Sequence, residues 1–223
     1  FEDKPQRFDA WDIDVYYKDK PLEQPKLVRR EVISCGAITG SIRMTYEFHD
    51  SVIVQDITIF AQREGIEFKT SVDWKEKQVL LRTYFPVNVH SGTATYEIQC
   101  GNIERPTHAN TEWDFAKFEV CAHRWVDLSQ GNYGVSLLND CKYGHDIHGN
   151  VIGLSLIKSA IRPDETADRG KHEFTYMLYP HTGDVRNCKV QQLATGLNMP
   201  LLPVSGCGIT EMPKMEHGLF TVE

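Results

Sequence analysis

The sequence contains no Asn-x-Ser/Thr acceptor, no Cys-x-x-Cys pair, no internal repeat, no low-complexity tract and no block of like charges. No apolar run approaches the roughly 20 residues needed to span a bilayer, which argues against a membrane-embedded helix. Basic residues are also in deficit: 24 Lys and Arg stand against 31 Asp and Glu, for a net charge of -7. That balance excludes a general nucleic-acid binder, which needs a basic footprint. Neither a Gly-rich phosphate loop nor a Gly-x-Ser-x-Gly elbow occurs, so the usual nucleotide and serine-hydrolase signatures are missing. Six cysteines lie far apart, at 35, 100, 121, 141, 188 and 207. Disulfide frameworks belong mainly to small secreted chains, so these read as reduced, mostly buried small hydrophobes in a cytoplasmic protein.

What the sequence does have is punctuation. Short runs of alternating or β-branched residues are separated by turn residues, and no convincing long amphipathic helix interrupts them. The predicted strands cover residues 41–48, 52–60, 66–74, 79–87, 93–100, 117–126, 133–138, 151–158, 171–179 and 188–194. His49-Asp50-Ser51 separates the first two as a hairpin signal. Many short strands joined by turns predict an all-β fold, a large antiparallel β-sandwich, and 223 residues suit one such domain. Phe1 at the start and HGLFTVE at the end read as a piece of a longer protein.

Three segments are rich in side chains that bind ligands: ERPTHANTEWD (104–114), NDCKYGHDIHGN (139–150) and PHTGDVRN (180–187). If strands 93–100, 117–126, 133–138, 151–158 and 171–179 form a meander, their connections alternate between two ends. All three polar segments then meet at one rim. Polar loops on a rigid sheet are where binding usually lives.

Several residues invite sharper readings. His145, Asp146 and His148 suggest a metal, yet the two histidines point to opposite faces of an extended segment, and a hydrogen-bonding turn is the commoner outcome. Asp140, Asp146 and Glu104 could pair for acid-base work on a glycoside, or simply cap turns. Cys141 with a nearby His could mimic a thiol nucleophile, or pack. Arg105, Lys142, Thr107 and Tyr143 offer donors and acceptors suited to sugar hydroxyls. Trp113 and Trp125 could face a pyranose ring or fill the core.

The stretches FEDKPQRFDAWDIDVYY, GNIERPTHANTEWDFAKFEVCAHRWVDLS, YGVSLLNDCKYGHDIHGN and HEFTYMLYPHTGD together resemble the α-mannosidases of glycoside hydrolase family 38, in their cytosolic and bacterial branch. The likeness fades after about residue 191. It implies a supersandwich of the galactose-mutarotase-like kind, inside a retaining exo-mannosidase several times longer. The family's Asp nucleophile and divalent metal, usually zinc, belong to a separate catalytic domain. Its His-His-Asp metal string has no counterpart here. The resemblance therefore implies no catalytic residue, metal site or cofactor in this chain. It names as partners the catalytic domain of the same polypeptide and an α-mannoside, and leaves open a homo-oligomer. Carried over by position, the substrate-pocket candidates are Asn102, Arg105, Asn139, Asp140, Lys142, Tyr143, Tyr179 and His181. An autonomous carbohydrate-binding module and a mutarotase-like epimerase remain as alternatives.

Overall fold

The computed structural model describes residues 1–201. After a 3-10 turn at Tyr17–Asp19, the strands are β1 (Lys26–Cys35), β2 (Thr39–Phe48), β3 (Ser51–Phe60), β4 (Ile66–Trp74), β5 (Leu80–Pro86), β6 (Thr93–Ile98) and β7 (Gly101–Pro106). A short helix, α1 (Glu112–Phe115), precedes β8 (Val120–Cys121), β9 (Trp125–Gln130), β10 (Tyr133–Asn139), β11 (Gly144–His148), β12 (Val151–Lys158) and β13 (Gly170–Thr182). Helix α2 (Val190–Asn198) follows. One sheet has the order β1-β2-β3-β4-β13-β10-β9-β6-β7, and the other β5-β12-β11-β8. Every pairing among the described residues is antiparallel. The all-β expectation holds.

Tight turns set the registers. β9 and β10 are joined through Gly131-Asn132, and β11 and β12 through Gly149-Asn150, with both glycines at positive φ. His49 and Cys100 take positive φ in the β2–β3 and β6–β7 turns, an uncommon conformation for residues with a Cβ. Between the sheets, Trp74, Tyr96, Val126, Leu137 and Phe174 meet Ile152, Leu154 and Ile157. Alternate residues of β9, β10 and β13 point away from this core and are buried as well. There Trp125, Leu138, Met177 and Tyr179 lie beneath Val190 and Ala194 of α2.

Two polar clusters sit inside this apolar frame. On the outer side of the small sheet, Arg82 is fully buried and bound to Glu119 and Asp146, and Lys18 reaches Asp146 at 2.7 Å. These charges fasten the N-terminal segment across β5, β11 and β12. Gly153 leaves room for them, since a Cβ there would collide with Asp146 Oδ1. On the outer side of the large sheet, His181 Nε2 lies 2.7 Å from Asp127 Oδ1. Ser136 and Ser129 donate to the same carboxylate at 2.7 and 2.5 Å.

Four sequence expectations are corrected. Residues 188–194 begin a helix, not a strand: Val190, Leu193, Ala194 and Leu197 recur at helical spacing and form its buried stripe. The run 117–126 splits into β8 and β9, in different sheets. β1 was not anticipated, because KLVRREVISC is mostly exposed and lacks clean alternation. Finally, Cys35, Cys100, Cys121 and Cys141 are exposed rather than packed, though all the cysteines among the described residues are free.

Candidate functional site at the rim of the large sheet

The sheet order overturns the convergence of the three polar segments. β10 and β13 are neighbours and antiparallel, because β11 and β12 leave for the small sheet between them. Segment 180–187 therefore lies at the end opposite Asn139, beside the β9–β10 turn, where Gly183 donates to the Asn132 carbonyl at 2.7 Å. Segment 104–114 runs down β7 to that same far end, where Thr107 donates to the Gly92 carbonyl. Segment 139–150 starts at the upper rim and then descends as β11.

What does gather at the upper rim is a hollow of about 760 Å³. The β6–β7 turn, the 121–125 segment, Tyr143 and α2 enclose it. Its frame is fixed by hydrogen bonds, most of them partly buried. Arg124 forks onto Glu97, with Nε 3.0 and 3.1 Å from the two carboxylate oxygens and Nη2 bound to Oε1. Its own amide donates to Oε2 at 2.7 Å, and its Nη1 reaches Thr195 of α2 at 3.3 Å. Such bidentate charge-assisted pairs fix geometry as well as adding energy.

Asn139 is the joint behind this wall. Fully buried, it donates from Nδ2 to the His123 carbonyl at 3.0 Å and accepts from the Lys142 amide at 2.6 Å. Asn198 closes α2 onto the same point by donating to the Asn139 carbonyl at 2.9 Å. The arrangement holds the His123 and Tyr143 rings edge to face, 5.8 Å apart, with Tyr143 half exposed. An exposed phenol, a ring edge and amide groups on a rigid frame can bind a polyol through hydroxyl hydrogen bonds.

Of the eight candidate residues, Asn102 and Tyr143 line this hollow, and Asn139 and Lys142 build its support. Asp140 turns back, accepting from the Thr175 amide at 2.9 Å, and Lys142 Nζ sits 4.5 Å above the Phe174 ring. Arg105 lies towards the far end of β7, its guanidinium 4.7 Å over the Tyr96 ring. Tyr179 is buried under α2, and His181 is bound to Asp127 near the opposite rim. The structure thus brings four of the eight together. Glu97, His123, Arg124, Gln191 and Asn198 were missed. The helical spacing in 190–198 was the signal that would have placed the last two.

The chemical alternatives can be weighed on the same geometry. His145 is fully buried, which lowers its imidazole to about 4 and keeps it neutral. Its neighbour Asp146 faces the other way, onto Arg82, while His148 is exposed. Among the described residues no group of three or more His, Cys, Asp or Glu could hold a metal. The described residues thus do not fit the divalent cation that the resemblance assigns to the parent. Although Cys141 is exposed, partial desolvation by its neighbours and the adjacent Asp140 push its thiol up to about 11, so it is not an activated nucleophile. Trp125 is core, and Trp113 is exposed outside the hollow. Asp140, Asp146 and Glu104 are spread over three separate environments.

The family model described as "Glycosyl hydrolases family 38 C-terminal domain" matches residues 1–166. The human protein "Alpha-mannosidase 2C1" is 42% identical over 207 residues, covering 91% of this chain and 20% of its own length. "Alpha-mannosidase G" of Dictyostelium discoideum is 40% identical over 203 residues, covering 89% and 19% respectively. The chain thus spans about one fifth of the curated relatives it matches. An α-mannosidase from Enterococcus faecalis superposes with a TM-score of 0.67 at 15% identity, over 76% of this chain and 24% of that one, which shows a shared fold. No helix among the described residues is long and apolar enough to cross a membrane.

Proposed function

Because this chain belongs to the family of glycosyl hydrolase family 38 C-terminal domains, we propose that it is the non-catalytic β-sandwich of a retaining α-mannosidase. The longer polypeptide cleaves terminal α-mannosides in the cytoplasm. Its nucleophilic carboxylate and divalent metal, zinc in this reading, lie in a catalytic domain outside residues 1–223. The family match over residues 1–166 carries the reading, and the names of the curated relatives support it.

The domain's part is to close one wall of the substrate pocket. The rim hollow supplies it: Asn102 and Tyr143 face the sugar, Asn139 and Lys142 hold the wall, and Glu97 with Arg124 locks its base. Groups of this kind speed the reaction only where their bonds strengthen as the oxocarbenium-like state forms. Otherwise they lower KM alone. A single neutral hydrogen bond contributes about 0.5–1.5 kcal/mol. Asn102→Ala or Tyr143→Ala in the longer polypeptide should therefore raise KM for an aryl α-mannoside roughly threefold to tenfold. Tyr133→Ala, half exposed at the opposite rim, should leave KM unchanged. Unaltered kinetics in both rim variants would remove the hollow from the substrate pocket.

A further inference from the structure

The large sheet is wider than the small one, and the uncovered part has two unlike faces. β5 lies over β4 and β13, where Phe85 packs on Phe68 and Tyr176. Beyond it, β3, β2 and β1 overhang. Their outer face is charged, with Arg43 paired to Asp56 at 2.7 Å and Glu47, Lys69 and Asp73 nearby in the register. Their inner face is apolar: Val32, Ile42 and Ile57 stand in one cross-strand row. Val32 is 68% and Ile42 40% exposed. The same face is buried further along, at Phe48 and Ile53, so an exposed apolar row continuing from the core marks a face meant to be covered.

Among the described residues, the strand bordering this face is also incomplete. β5 pairs with β12 on one side, while on the other Phe1 and Leu80 exchange backbone hydrogen bonds at 3.0 and 3.2 Å. Glu2 bridges Val79 antiparallel, so the edge already accepts an antiparallel backbone. By the alternation of an antiparallel ladder, the amides of Arg82 and Tyr84 point the same way as that of Leu80. A crevice of about 500 Å³ runs beside them, floored by Tyr46, Ile53 and Gln55. The edge strand of the large sheet on this side, β1, carries Lys26, Arg29, Arg30 and Glu31, charges that blunt edge pairing. β5 carries no such guard on its inner residues Leu81, Thr83 and Phe85.

We infer that an extended strand from the part of the polypeptide outside this chain pairs with β5 along Arg82 to Tyr84 and covers the inner face of β2 and β3. The inference rests on reading the chain as one fifth of a longer α-mannosidase. The occupant is a segment of the same polypeptide: the relatives carry four-fifths of their length elsewhere. Its chemistry is set by the crevice, with backbone groups for β5 and alternate apolar side chains for the floor.

Amide hydrogen exchange on the longer polypeptide tests this. The Arg82 and Tyr84 amides should be protected roughly 100-fold or more, as in paired strands. Ile42→Lys should lower the thermal midpoint of that polypeptide by about 4 °C or more. Val52→Lys, equally exposed on the charged face between Glu47 and Asp73, should not. Unprotected amides, or equal effects of the two lysines, would overturn the proposal. So would protection that appears only when two copies associate. Hydrolysis of an aryl α-mannoside by the same preparation is read in parallel. An active protein with unprotected amides sinks the added strand alone, whereas protected amides without activity sink the functional reading alone.

Discussion

Replacing Arg82 with Ala should cost the fold about 3–5 kcal/mol, the range for removing one partner of a buried ion pair. The Arg82 side chain is 0% exposed, and those of Glu119 and Asp146 are 8% and 7% exposed. Asp146 would keep Lys18 at 2.7 Å, but Glu119 would keep only the hydroxyl of Ser155. Glu119 would then be a carboxylate out of water with no cation. Burial already pushes its carboxyl up even with Arg82 beside it. Adding Glu119→Gln removes that orphaned charge and should restore about 1–2 kcal/mol. Urea unfolding of the three proteins gives both numbers. A loss below about 1 kcal/mol for Arg82→Ala, typical of an exposed pair, would contradict a buried cluster.

Asp127→Ala should be nearly as damaging, again by about 3–5 kcal/mol at pH 6. It strips the partner from His181, which is 1% exposed in its side chain, and orphans two serine hydroxyls. This effect carries a pH signature. Burial pulls the His181 imidazole towards its neutral form, but the hydrogen bond and charge of Asp127 outweigh it and raise the group above its ordinary value. A histidine raised on folding contributes stability that is complete below its unfolded pKa, about 6.5, and is lost as pH climbs through the folded pKa. The advantage of the native chain over Asp127→Asn should therefore shrink between pH 6 and pH 9. Urea midpoints measured across that interval should converge. A constant difference would show that Asp127 serves only as a neutral acceptor.

The strands were legible where local pattern and tertiary demand agreed. Val52 to Phe60, Ile66 to Trp74 and Val151 to Lys158 each alternate or run apolar between turn residues, and each is a strand within a residue or two. The rim was half legible. Asn102, Asn139, Lys142 and Tyr143 stand in polar segments next to strand ends, and the structure brings them to one place. What failed was direction. A sequence shows strands but not which sheet each joins, and a crossover into the small sheet between β10 and β13 reversed the end at which His181 falls. Arg124 and Glu97 were invisible for a related reason. A charged pair that locks a turn reads, in one dimension, like any two surface residues.

Hydrolysis of an aryl α-mannoside by the purified 223-residue chain, supplied with zinc and set beside the longer polypeptide, bears most directly on this account. The longer protein should turn over and the chain should not, because among the described residues the one carboxylate lining the rim hollow, Glu97, is already bound by Arg124. Mannose released by the chain itself would put the reacting groups inside residues 1–223 and contradict the division of labour proposed for this fold.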